Sequence, residues 1–228
     1  MMAISFSLGI YLIIVKGKAR GFKEDDLLLI AFIAIVFAIT GARALYVVTN
    51  LGDFAASPLQ VIRIDHGGLS FHGGLLGGIF GGWLFARRSG YNFDILLDLA
   101  VPGIAIGYAL VRVANIFNQE ILGRPAVLLA LERHPTQIYG SLIGLAALLI
   151  HNYLARRIVN KPGVLFWSFV FYYSVLRGVI EETFRENPLY LLGYVHEFWG
   201  AGFFTLTHLI TPPLLLFAWW MIKRKRAG

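Results

Sequence analysis

The sequence contains no cysteine, so it forms no disulfide and supplies no thiolate of its own. Any thiol in its chemistry has to come from a partner. Charge is also scarce. Asp, Glu, Lys and Arg make up 14% of the 228 residues, against 57% hydrophobic ones, and the mean hydropathy is +0.69. That balance argues against a water-soluble domain and describes an integral membrane chain. No cleavable signal peptide is expected, because the first apolar run lacks a preceding basic segment and a cleavage site. The net charge of +7 would suit a nucleic acid, but the charges sit in short clusters between apolar runs, which reads as orientation in a bilayer.

The apolar runs fall near 3–15, 27–48, 69–86, 93–116, 135–155, 162–184 and 199–222. Roughly 20 residues cross a bilayer, so the pattern predicts an all-α integral membrane protein of about seven transmembrane helices with short outer loops. "TPP" at 211–213 predicts a kink in the last of them. Thirteen of the 20 basic residues lie on one set of loops: Lys16, Lys18, Arg20, Lys23, Arg87, Arg88, Arg156, Arg157, Lys161, Lys223, Arg224, Lys225 and Arg226. That side should be cytoplasmic, which places the N-terminus outside and the C-terminus inside.

Arg43, Arg112 and Arg177 fall within apolar runs. An intramembrane arginine costs at least roughly 2.5–3.5 kcal/mol at mid-span and marks a functional site by default. With this orientation all three lie towards the outer ends of their spans, as does His72 in "HGGLSFHGG", 66–74. A metal site is not expected there, because six residues turn His66 and His72 to different helix faces. Such a cluster suits an anion at the membrane surface, with a lipid phosphate the obvious one. The competing reading is that the arginines snorkel to the interface or form structural ion pairs.

Other polar residues recur at helical spacing. In "LVRVANIFNQEILGRP", Arg112, Asn115 and Asn118 step by three, with Glu120 beyond them. In "YYSVLRGVIEETFREN", Tyr173, Arg177, Glu181 and Arg185 step by four, so Arg177 and Glu181 are expected to pair along one stripe. Interhelical hydrogen bonding would account for the asparagines equally, and simple charge neutralisation for Glu181. "RHPTQIYGSL" reads as a helix start at Pro135 or Thr136, with Tyr139 near the outer surface.

Together "GARALYVV", "GGLSFHGGLLGG", "VRVANIFNQEILGRP", "RHPTQIYGS" and "LRGVIEETFREN" resemble, in order, the prolipoprotein diacylglyceryl transferase family. Its signature is close to G-R-x-G-N-F-x-N-x-E-x-x-G, of which Arg112, Asn115, Asn118, Glu120 and Gly123 are kept. The resemblance implies transfer of the diacylglyceryl group from phosphatidylglycerol to the lipobox cysteine in the signal peptide of a preprolipoprotein. A thioether forms and glycerol 1-phosphate leaves. No cofactor and no metal are implied, and no nucleic acid partner. The implied setting is the bacterial plasma membrane, with a monomeric chain and an active site towards the outer leaflet.

By the same resemblance Arg112 and Arg177 are catalytic and engage the headgroup, and His72 is the candidate base. Arg43, Gly73, Gly74, Asn115, Asn118, Glu120, Gly123, Tyr139, Tyr173, Glu181 and Arg185 bind substrate or support those that do. The chain would form a single transferase-like domain over 1–228, starting beyond a segment that relatives carry and shortened near 123–134. Val111, Ala114 and Gly140 depart from the family pattern, with Gly140 where a Glu often follows Tyr139. A non-catalytic or altered-donor relative that binds phospholipid is the alternative. A transporter would more often show inverted repeats, and none is visible.

Overall fold

The computed structural model describes residues 2–54, 58–63, 67–127, 132–158 and 160–227. Within them the chain is mainly helical. The helices are α1 (Met2–Lys18), α2 (Glu24–Thr49), α3 (Leu51–Phe54), α4 (Phe71–Ser89), α5 (Phe93–Phe117), α6 (Thr136–Arg157), α7 (Val164–Val175), α8 (Glu182–Phe184) and α9 (Leu206–Ala227). A 3₁₀ turn spans Pro58–Ile62, and a π-helical turn, Leu176–Glu181, joins α7 to α8. Four segments are long and apolar enough to cross a membrane: Glu24–Thr49, Phe93–Phe117, Thr136–Arg157 and Val164–Phe184.

The all-α expectation needs one correction. Leu189–His196 and Ala201–Thr205 form an antiparallel hairpin, β1 and β2, where the last apolar run was expected to begin as helix. The stretch "WGAGFFT" pairs glycines with aromatic and β-branched residues, which favours strand, and Gly200 turns the chain at φ +58. Helix α9 then runs through Pro212 and Pro213 without ending. Proline removes a backbone donor there. The hydroxyl of Thr211 donates to the Thr207 carbonyl at 2.7 Å, adding a bond in the same turn.

The chain divides into two compact units, Ile14–Leu96 and a second made of Met1–Ile13 with Leu97–Gly228. In the first, α2 and α4 pack backbone to backbone. A Cβ placed on Gly73 would lie 2.3 Å from the Gly41 carbonyl oxygen, one on Gly41 2.5 Å from that of Gly73, and one on Gly77 2.1 Å from that of Phe37. Small residues permit this approach, which dispersion forces between apolar helices reward. Half of the repeated His-Gly-Gly triplet is thereby explained: Gly73 and Gly74 face α2. Ser70 starts α4, accepting the Gly73 amide at 3.4 Å. At the other end of the pair, Tyr91 donates to Asp26 and its ring lies 4.9 Å from that of Phe22.

The second unit is built on α5, α6, α7 and α9. Val101, Ala105, Ala147 and Phe169 form its buried centre. Asp98 accepts the amides of Gly163 and Phe166 at 2.9 and 2.7 Å, holding the first turn of α7. Ser141 donates to the Ala109 carbonyl at 3.1 Å, joining α6 to α5. A Cβ on Gly178 would lie 2.2 Å from the Thr211 hydroxyl, which brings the π turn close to α9.

The α2–α4 contact yields a comparison. Gly77→Ala must push a methyl into a carbonyl and should destabilise the protein by about 1–3 kcal/mol. Gly107→Ala, whose Cβ meets nothing within 4 Å, should be neutral or stabilising by up to about 1 kcal/mol. Thermal unfolding in detergent would show this, and equal midpoints for the two variants would contradict the contact.

Candidate functional site

Arg112, on α5, is buried with 5% of its surface exposed. Its Nη2 lies 2.8 Å from Glu181 Oε1, a charge contact between side chains that are 6% and 0% exposed. The angle does not make that contact a hydrogen bond, so Tyr108 completes the arrangement. Arg112 Nη2–H donates to the Tyr108 hydroxyl at 2.7 Å, and that hydroxyl donates a short bond to the other oxygen of Glu181. Tyr108 lies one turn before Arg112, with the guanidinium 4.6 Å from its ring centre. Arg112 Nε has no hydrogen-bond partner among the described residues. A Cβ on Gly140 would lie 2.6 Å from that Nε, so the arginine stem occupies the volume that a side chain at 140 would need.

The expected Arg177–Glu181 pair does not form. Arg177 Nη1 instead donates to Glu182 Oε2 at 2.6 Å, and Glu182 Oε1 accepts from Asn187 Nδ2 at 2.6 Å. The reason is the π turn, in which the Glu182 amide reaches back five residues to the Arg177 carbonyl. One extra residue in the turn shifts the partner of Arg177 from the fourth to the fifth residue beyond it. Glu181 is thereby released to Arg112. Tyr173 remains beside this group, edge-on to Tyr108 at 5.1 Å and stacked on Phe169 at 5.2 Å.

Arg185 follows α8. Burial lowers its pKa from the ordinary guanidinium value, repulsion from Arg177 and Arg112 adds to this, and Glu182 and Glu181 oppose it. Arg112, Arg177 and Arg185 thus lie in the field of Glu181 and Glu182, and Glu182 also attracts Arg124. With Glu181 matched to Arg112 and Glu182 to Arg177, Arg185 carries the excess positive charge of the group.

The second polar constellation is only partly helical. Helix α5 stops at Phe117, so Asn115 is buried on it, while Asn118 and Glu120 lie beyond its end and are exposed. The three-residue stepping ends at Asn118, whose amide still donates to the Ala114 carbonyl at 3.2 Å just past the last residue of α5, and does not reach Glu120. Gln119 and Ile121 adopt left-handed conformations at φ 54 and 58, which a β-branched residue rarely does. Such strain persists only where neighbours over-determine it. Thr136 donates to the Ile121 carbonyl at 2.6 Å and Gln137 to that of Glu120 at 2.8 Å. Gly123 bridges to Arg185, with no room for a Cβ, which would sit 2.1 Å from the His134 carbonyl oxygen. His134 Nε2–H donates to the Trp199 carbonyl at 2.7 Å, and its Nδ1 lies 3.1 Å from the Tyr139 hydroxyl.

Tyr108, Glu182, Asn187 and His134 are thus members of the site that sequence reasoning missed. Tyr108 sits at the i−4 position to Arg112, a signal open to inspection. Glu182 and Asn187 gave none, because the phase of the π turn is not written in local periodicity.

Arg43, His72, Gly73 and Gly74 belong to the other unit. His72 is exposed in the first turn of α4. The guanidinium of Arg43 is engaged by backbone carbonyls of Gln60, Val61, Gly67 and Gly68. His66 lies outside the described residues.

Breaking a buried ion pair from one side leaves a desolvated charge, at about 3–5 kcal/mol. Arg112→Ala and Glu181→Ala should each lower the unfolding midpoint strongly, and the double variant by clearly less than their sum. Additive losses in thermal unfolding would show that the two groups are not coupled.

A family profile described as prolipoprotein diacylglyceryl transferase matches residues 1–224. The chain is 44% identical to a phosphatidylglycerol–prolipoprotein diacylglyceryl transferase of Thermoanaerobacter pseudethanolicus over 225 residues, covering 98% of this chain and 86% of the relative. It is 36% identical to the protein of that name from Thermus thermophilus over 263 residues, covering 100% and 93%. A Bacillus cereus protein of the same name is 36% identical over 203 residues, covering 81% and 74%. The chain belongs to the prolipoprotein diacylglyceryl transferase family.

Proposed function

We propose that this chain transfers the diacylglyceryl group of phosphatidylglycerol to the lipobox cysteine of a preprolipoprotein signal peptide. The observation that carries this is the charge imbalance of the arginine group, in which Arg185 exceeds the two matched pairs. In the step itself the cysteine thiol loses its proton, and its sulfur bonds to the glyceryl carbon. The bond from that carbon to the phosphate oxygen breaks, and the electron pair departs with glycerol 1-phosphate. A phosphodiester carries one negative charge, whereas a monoester carries about 1.5–2 near neutral pH. Charge therefore grows on the phosphate as the reaction proceeds, and fixed guanidinia that meet it there lower the barrier.

Arg112 and Arg177 engage the phosphate, and Arg185 adds the unmatched charge. Glu181 holds Arg112, while Asn115, Asn118, Glu120, Gly123, Tyr139 and Tyr173 frame the headgroup. His72 accepts the thiol proton, since a thiol with an ordinary pKa of roughly 8.5 is mostly protonated near neutrality. A chain without cysteine fits a reaction whose thiol arrives with the peptide. The protein acts as a monomer, without a cofactor, in the bacterial plasma membrane, with the site towards the outer leaflet.

Purified protein incubated with phosphatidylglycerol and a lipobox peptide should add the mass of diacylglycerol, less water, to the peptide. Lipid binding without a mass change would instead identify a relative that binds phospholipid without transferring it. Arg112→Lys and Arg177→Lys should both lose most of the transfer, because an ammonium does not replace a planar multi-donor fork. His72→Ala should slow it by about 10²-fold or more, the scale of general-base loss. Parental rates in well-folded variants would exclude these roles.

The orientation has its own check. A reporter fused after Gly228 should be active only on the cytoplasmic side, because thirteen basic residues fall on that set of loops. Activity on the outer side alone would reverse the assignment.

A further inference from the structure

Arg43 was expected to meet an anion, yet its N–H groups are turned to the protein's own backbone. Nε donates to the Val61 carbonyl at 2.8 Å, and Nη1 to those of Gly67 and Gly68 at 3.1 and 2.9 Å. Nη2 donates a short bond to the Gln60 carbonyl. Four of the five N–H groups of a guanidinium are therefore engaged. Its carbon also lies 5.6 and 5.2 Å from the ring centres of Tyr46 and Phe54. Carbonyls from two stretches of one connector, 60–61 and 67–68, thus converge on a single residue of α2.

The connector is shaped for this contact. Gly67 and Gly68 adopt φ +80 and +73, and a Cβ on Gly68 would lie 2.6 Å from both Arg43 Nη1 and the Tyr46 ring. Only glycine fits that position. Immediately beyond, the Ser70 amide donates to the Ala42 carbonyl at 3.0 Å, and Ser70 caps α4, whose first turn holds His72. Adjacent residues of α2, Ala42 and Arg43, therefore hold both the connector and the helix start that follows it.

We propose that Arg43 is a positioning residue that clamps the connector to α2 and so fixes His72 in place, and that it does not ligate the lipid phosphate. For its effect on transfer this rests on the proposed function. A lysine cannot substitute, because three donors on one nitrogen do not reach carbonyls on opposite sides of a planar fork.

The test uses the full chain with phosphatidylglycerol and a lipobox peptide. Arg43→Ala and Arg43→Lys should lower kcat by about tenfold or more, the scale of a small displacement of a reacting group. KM for phosphatidylglycerol should stay within about twofold of the parent, as for a residue that makes no ground-state contact with the lipid. Added guanidinium or methylguanidinium should restore kcat in Arg43→Ala but not in Arg43→Lys, whose ammonium occupies the space. Gly68→Ala, which attacks the clamp from its other side, should reproduce the kcat loss. Amide hydrogen exchange at 60–63 and 67–70 should quicken in all three variants, a readout that needs no transfer activity. A raised KM with unchanged kcat would make Arg43 a lipid ligand and overturn the proposal, as would unchanged exchange. A parent chain inactive on phosphatidylglycerol would instead sink the proposed function, and the exchange result alone would then decide the clamp.

Discussion

Burial of the Arg112 guanidinium is the constraint to which its surroundings conform. Removing such a group from water costs several kcal/mol even after relaxation, so it persists only with charge and hydrogen bonds supplied around it. Glu181 supplies the charge, and Tyr108 links the two by donating to the carboxylate while accepting from the guanidinium. The stem of Arg112 lies against Gly140, which leaves it the room. Each of these partners comes from a different element or turn, so the arrangement exists only when α5, α6 and the π turn are assembled.

The π turn decides how the available charges are divided. In a regular helix, Arg177 would have neutralised Glu181 and left Arg112 buried without a counter-charge. The i+5 step gives Glu182 to Arg177 and Glu181 to Arg112, so one residue of extra winding creates two ion pairs in place of one. Arg185 then remains as excess charge beside them. A site that must meet growing negative charge is served by such a surplus. A fully neutralised cluster would offer an incoming phosphate little attraction.

Arginine has a different use in the other unit. Arg43 has no carboxylate within its hydrogen-bonding set and is satisfied by backbone carbonyls and two aromatic faces. The same physical need, satisfying polar groups beside apolar helices, is met by carboxylates and a tyrosine in one place and by backbone carbonyls in the other. The glycines divide in a similar way. Gly73 and Gly77 let α2 and α4 touch, whereas Gly68 bends the connector into the guanidinium.

Hydropathy and composition identified a membrane chain, and helical spacing drew attention to Arg112, Asn115, Tyr173 and Arg177 before any coordinates. These signals are local and survive in one dimension. The motifs carried the family, which the profile and the relatives show independently. The hairpin at 189–205 was not legible, because a short apolar stretch with glycine suits strand or helix until its partner is known. The end of α5 at Phe117 was legible from the apolar run at 93–116, but the left-handed turns at Gln119 and Ile121 just beyond it were not, because they depend on the hydrogen bonds from Thr136 and Gln137. The sequence by itself singled out Arg43, Arg112 and Arg177 as charges within apolar runs that need partners, since a guanidinium is costly to leave unsatisfied there. Only the tertiary structure decided what each one faces, because the phase of a π turn and the reach of a guanidinium to a connector some twenty residues away depend on packing that no local pattern records.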